Sequence, residues 1–219
     1  MIKIKLIIPC FGSLEYASQK CFKESLDRLK EADTRDYNIQ IIPKIDPYIS
    51  MARNTGVSNS ILKHQTITDC DYCLFIDADT GFTFGNIVSL IAANKSVIGG
   101  AVPYRKGHLN EAFYCAGNFY DGLPGFICSL VNRKQTGIVK VDWTGGNFVL
   151  VRADVFSKIE YPWFHFGVLD NGDSALEYGE DIGFCIKCYK ANIPIYLHCD
   201  LEPKLIHEKD IKIESKAVV

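Results

Sequence analysis

Apolar residues fall in short blocks along the first hundred positions, and the spacing within the blocks alternates. Residues 3–9 are almost continuously apolar from Leu6, the pattern of a strand covered on both faces. Residues 14–32 then carry Phe22, Leu26 and Leu29 at helical spacing, and 38–43 carry Ile39, Ile41 and Ile42 as a second strand. The pattern next predicts a helix over 50–64 with Ser50 as its cap, and a third strand over 72–76. A helix over 84–94, with Ile87, Leu90 and Ile91 on one face, precedes a fourth strand over 96–102. Such alternation of strand and helix specifies an α/β fold with a mostly parallel, doubly wound sheet.

The pattern loosens afterwards. Residues 107–137 are rich in glycine and aromatics with poor periodicity, which predicts loops and short strands. Strands over 138–142 and 147–152 flank the turn Thr144-Gly145-Gly146. A short helix over 153–159 and an aromatic loop over 161–172 come next, then a helix over 180–191 and a strand over 195–198. No linker or repeat interrupts the chain, so 1–219 is read as one domain: a regular half, 1–103, an irregular half, 104–208, and a loose polar tail, 209–219.

Composition narrows the function classes. The 219 residues are 47% hydrophobic and 23% charged, which is ordinary for a globular chain and excludes intrinsic disorder. A net charge of -2 argues against a general nucleic-acid binder. No apolar run approaches the ~20 residues of a membrane-spanning helix. The start reads as a first strand rather than a secretion signal, so a cytoplasmic location is expected. Nine cysteines then read as reduced thiols. Cys70-x-x-Cys73 and Cys185-x-x-Cys188 have zinc-like spacing, but both pairs sit in apolar patterns and are read as small buried hydrophobes.

The chemistry concentrates in acidic pairs. Asp77-Ala78-Asp79 follows the apolar run Cys73-Leu74-Phe75-Ile76, which puts two carboxylates at the carboxyl end of a buried strand. Ligands of open α/β sheets bind at that edge, and hard carboxylate oxygens suit Mg²⁺ or Mn²⁺ completed by phosphate and water. An Asx turn closing the strand would use the same residues. Glu180-Asp181 opens the last long helix, where a carboxylate serves either as a general base or as a partner of the helix dipole. His207 follows an apolar pair near the end of the chain.

Taken in order, these motifs resemble nucleotide-sugar-dependent glycosyltransferases of the GT-A fold, in particular family 2-like members. Ile7-Ile8-Pro9-Cys10 is similar to the first strand whose end faces the nucleotide, and Asp46 stands where a loop meets base or ribose. Met51-Ala52-Arg53-Asn54 resembles the A-R-N segment, Asp77-Ala78-Asp79 the D-x-D motif, and Trp143-Thr144-Gly145-Gly146-Asn147-Phe148 the glycine turn beside the sugar. Glu180-Asp181 is similar to the E-D pair, and His207 to a late metal-binding histidine.

The resemblance implies a nucleotide-binding half, 1–103, and an acceptor and catalytic half, 104–208. It implies a metal on Asp79, Asp77 and His207, and a UDP- or GDP-sugar held by Pro9, Asp46, Arg53, Asp77, Ala78, Asp79, Gly145 and Gly146. A glycan or other hydroxyl acceptor would rest on Trp143 and Trp163, with Asp181 as the base of an inverting transfer and Glu180 beside it. Two other readings use some of the same residues: a Mg²⁺-dependent sugar nucleotidyltransferase and a non-catalytic carbohydrate-binding protein. The first would be expected to carry a glycine- and arginine-rich phosphate loop after its first strand, where this chain has Phe11-Gly12-Ser13.

Overall fold

The computed structural model describes residues 1–10, 20–58, 69–104, 112–170, 175–201 and 206–207, with side chains for all of these except 20–22, 206 and 207. Its first part runs β1 (Ile2–Cys10), α1 (Lys20–Glu31), β2 (Tyr37–Ile45), α2 (Ile49–Val57), β3 (Tyr72–Ile76), β4 (Thr80–Gly81), α3 (Phe84–Ala92) and β5 (Val97–Gly100). The rest comprises β6 (Phe113–Tyr120), β7 (Leu123–Asn132), β8 (Ile138–Val141), β9 (Trp143–Thr144), β10 (Phe148–Arg152) and a 3₁₀ helix (Ala153–Ser157). After these come β11 (Gly167–Asp170), β12 (Ala175–Tyr178), α4 (Glu180–Lys190), β13 (Ile195–His198) and β14 (Ile206–His207). Among the described residues no helix is long and apolar enough to cross a membrane.

A seven-stranded sheet, in the order β2-β1-β3-β10-β5-β13-β8, organises the molecule. β2, β1, β3, β5 and β13 run one way, as expected, while β10 and β8 run against them. The doubly wound expectation therefore holds only in part. β3 and β5 do not touch side by side, because β10 is inserted antiparallel between them. Alternate residues separate two apolar layers. Ile4, Leu6, Ile8, Leu74, Ile76, Ile98 and Leu150 pack on the face covered by α1 and α3. Ile7, Cys73, Phe75, Val149, Val151 and Leu197 pack on the other, beneath α2, the 3₁₀ helix and α4.

Local chemistry explains the element ends. α3 starts with a capping box: Thr83 Oγ1 accepts the Asn86 N–H and Asn86 Oδ1 accepts the Thr83 N–H at 2.8 Å. Ser50 does not cap α2. The cap is Tyr48, whose N–H donates to Asp46 Oδ1 at 2.8 Å, so an Asx turn aims the helix. Residues 113–132, expected as loops and short strands, form the long antiparallel pair β6–β7, whose register shifts erase any clean alternation. The expected loop over 161–172 contains β11, paired with β12. The expected helix starts over 14–19, the helix end over 59–64 and the tail over 209–219 lie outside the described residues.

α2 meets β1 at Gly56, where an added Cβ would collide with the Ile7 side chain in a fully buried layer. Gly56→Ala gains about 1 kcal/mol of helix propensity but forces an overpacked core, which costs about 1–3 kcal/mol. We expect a net loss of stability, read as a lower urea midpoint at unchanged slope.

Candidate functional site

Three parallel strands end together at one edge of the sheet. β1 delivers Pro9 and Cys10, β2 leads into Asp46, and β3 ends at Asp77. The Asp46 N–H donates to the Cys10 carbonyl at 3.2 Å, which ties the first two ends together. Pro9 lacks an N–H, and it lies beyond Ile7, the last β1 residue paired with β3. After β3 the chain turns tightly. The Asp77 N–H donates to the Asn147 carbonyl at 3.1 Å and the Thr80 N–H donates back to the Asp77 carbonyl at 3.0 Å. Asp77, Ala78 and Asp79 are thereby held half-buried at the edge.

Arg53 joins this turn to α4. Its side chain is buried at 1% exposure, its Nη2 donates to Asp77 Oδ1 at 2.8 Å, and its Nη1 donates to Glu180 Oε1 at 2.5 Å. Glu180 is itself buried at 7% exposure. Burial raises the Glu180 carboxyl above its usual value against the pull of Arg53. Burial works against the Arg53 charge, but Asp77, Glu180 and Asp181 together more than reverse that, holding its proton above the usual arginine value. Asp181, the next residue, is half-buried, and its Oδ1 accepts the Ile182 N–H at 2.8 Å. Arg53 thus bonds one member of each predicted acidic pair, Asp77, 24 residues on, and Glu180, 127 residues on, through one guanidinium.

The glycine turn belongs to the same cluster. A Cβ on Gly146 would land on the Arg53 guanidinium, so only a residue without a side chain lets the backbone lie against that charge. A Cβ on Gly145 would stand 2.6 Å from Cys115 Sγ. Burial, reinforced by the charges of Asp181 and Asp77, pushes the Cys115 thiol up to about 12. Burial raises Tyr104 as well, with Cys115 and Asp181 adding to the effect.

The other predicted residues differ in burial. Trp143 and Trp163 are buried at 3% and 2%, and Trp163 Nε1 donates to the Phe156 carbonyl at 2.8 Å. Phe166, in contrast, is 57% exposed. β14 pairs with β4, which sets the His207 backbone opposite Thr80, next in sequence to Asp79; the His207 side chain is outside the described set. Two Asp residues on a strand-end turn suit a hard divalent cation that takes further oxygens from phosphate and water. Among the described residues no three His, Cys, Asp or Glu side chains form a complete ligand group.

Sequence reasoning overlooked a second support. Asn54 mimics a peptide group: its Nδ2 donates to the Phe164 carbonyl at 2.7 Å and its Oδ1 accepts the Phe164 N–H at 3.0 Å. The Phe164 ring lies 5.8 Å from the Arg53 guanidinium carbon. The Arg-Asn pair lies on a helix whose Ala52, Arg53, Asn54, Gly56 and Val57 are buried, while Thr55 between them is half-buried.

The cluster has a measurable stability. Arg53→Met strands a buried carboxylate and should cost about 3–5 kcal/mol in urea unfolding. The double variant Arg53→Met with Glu180→Met should cost less than the sum of the singles, by about 0.5–3 kcal/mol. Strict additivity would mean that the pair is not coupled.

Neither a family profile nor a curated protein sequence matches this chain. Solved structures do. A197 from STIV superposes with a TM-score of 0.58 at 18% identity, covering 96% of this chain and 87% of that one. The catalytic domain of Drosophila beta1,4-galactosyltransferase 7, solved in complex with xylobiose, superposes with a TM-score of 0.53 at 14% identity, covering 94% and 71%. The chain therefore shares its mixed α/β fold, of GT-A-like type, with a glycosyltransferase catalytic domain.

Proposed function

We propose that this chain is a glycosyltransferase that moves a sugar from a nucleoside-diphosphate sugar to an acceptor hydroxyl, with a divalent cation and with inversion. One observation carries the reading: Asp77-Ala78-Asp79 and Glu180-Asp181 meet around Arg53 at the carboxyl edge of the sheet. The shared fold supports it.

Pro9, Asp46, Ala78 and the Gly145-Gly146 turn border this edge and would hold the donor. Asp79 and Asp77, with His207, would hold Mn²⁺ or Mg²⁺, which when bound neutralises charge on the departing diphosphate. We read Arg53 as the counter-ion of Asp77 and Glu180 rather than as a phosphate ligand, because both of its terminal nitrogens bind carboxylates. Glu180, held by Arg53, sets the position of the first turn of α4. Asp181 is the general base: one oxygen is steadied by the Ile182 N–H, and the other accepts the proton of the attacking hydroxyl. For an acceptor, Phe166 offers an exposed ring that Trp143 and Trp163 do not.

Two substitutions test the assignment. Asp181→Asn should leave donor binding near parental and lower transfer by about 10²–10⁴-fold, measured as nucleoside diphosphate released at saturating donor. Parental turnover in that variant removes Asp181 from the mechanism. Asp79→Ala should fold normally and lose the Mn²⁺-dependent part of donor binding, seen by calorimetry with and without chelator. Release of pyrophosphate from a nucleoside triphosphate would instead identify a nucleotidyltransferase.

A further inference from the structure

At the opposite edge of the sheet, two thiols face each other. Cys70 precedes β3 and Cys73 lies within it, and their sulfurs are 3.8 Å apart. Beside them runs an unusual lysine. Lys5 is the β1 residue paired with Cys73, and it is 2% exposed in a strand that is otherwise apolar around it. Its ammonium donates to the Val57 carbonyl at 3.1 Å and pairs with Asp69 at 2.7 Å. Asp69 supplies the charge partner that a buried lysine requires, and the Lys5 charge also favours a thiolate at Cys70.

We propose that Cys70 and Cys73 form a redox-active dithiol, closed to an intramolecular disulfide by a small peroxide and reopened by a thiol reductant. Cys70 is the attacking sulfur. It is 7% exposed against 0% for Cys73. The contact with Cys73 lowers the Cys70 thiol below its ordinary value, and the Lys5 charge adds to this against burial and the carboxylates of Asp69 and Asp71. Cys73 is pushed the other way, by its bond to Cys70 and by burial, so it keeps its proton until the second step.

In the first step the Cys70 thiolate attacks one peroxide oxygen and the O–O bond breaks. The departing hydroxide takes up a proton as water, and Cys70 becomes a sulfenic acid. In the second step Cys73 sulfur attacks the Cys70 sulfur. The S–O bond breaks, the Cys73 proton leaves with the hydroxyl as a second water, and the S–S bond forms. Two electrons have passed from the thiols to the peroxide. Side-chain rotation has to bring 3.8 Å to a bonding distance of about 2.05 Å. A dithiol reductant returns two electrons and two protons and breaks the bond.

The test uses the full chain in a Cys128→Ser background, which removes an exposed competing thiol. The protein is reduced, freed of reductant, and treated with hydrogen peroxide at one equivalent. Intact mass should fall by two hydrogens, peptide mapping should join Cys70 to Cys73, and dithiothreitol should reverse both. Cys73→Ser should stop at a sulfenic acid that dimedone traps on Cys70. Lys5→Met should slow closure, because it removes a charge that favours the Cys70 thiolate. The proposal is overturned if both cysteines stay open to alkylation while other thiols oxidise. It is equally overturned if Cys70→Ser loses two hydrogens as fast as the parent. Should Lys5→Met fail to fold, mapping of the parent decides alone.

Discussion

One buried guanidinium organises the functional edge of this protein. Arg53 cannot leave water without partners of opposite charge, and Asp77 and Glu180 are those partners. In meeting that need the chain brings together three elements that no short-range signal connects: α2, the turn after β3, and the first turn of α4. The fork geometry of arginine matters here. Two terminal nitrogens address two carboxylates at once, which a lysine ammonium would do without fixing their relative orientation.

The same constraint divides the work among the acidic residues. Glu180 and Asp181 are neighbours in sequence, yet Glu180 is buried on Arg53 while Asp181 remains half-buried and accepts the N–H of Ile182. Adjacent residues in a first helical turn point about 100° apart, so one can face the interior while the other faces the cleft. Gly146 completes the arrangement by letting backbone approach the guanidinium from the remaining side. Asn54 does for Phe164 what Arg53 does for the carboxylates, fixing a loop from the same helix.

Much of this was legible before the fold was known, and the limits have physical causes. β3 and β13 fall where expected, over 72–76 and 195–198, and β3, buried along all but its first residue, writes itself as an unbroken apolar run. The direction of β10 does not follow from its sequence: Phe148-Val149-Leu150-Val151 looks the same in a parallel or an antiparallel slot. The β6–β7 pair escaped because its residues are half-covered and its register shifts break the period of two. Asp77, Asp79, Glu180 and Asp181 could be picked out from their places after a buried strand and at a helix start. The burial of Arg53 could not, because a single charged residue on an apolar helix face reads as a surface position until its partners are seen.

The inserted strand also sets the order in which the chain can fold. β3 and β5 are separated by a gap that only β10 fills, and β10 is made some fifty residues after β5. During synthesis the first hundred residues therefore emerge as two incomplete fragments, β2-β1-β3 and β5, each with an unpaired strand edge. The sheet becomes continuous only when Phe148–Arg152 slides between them, closing long loops on both sides. A late-arriving central strand makes these sheet contacts non-local, and non-local pairing is slow. Until β10 exists, the facing edges of β3 and β5 lack their native partner, and any other extended segment is chemically able to pair with them.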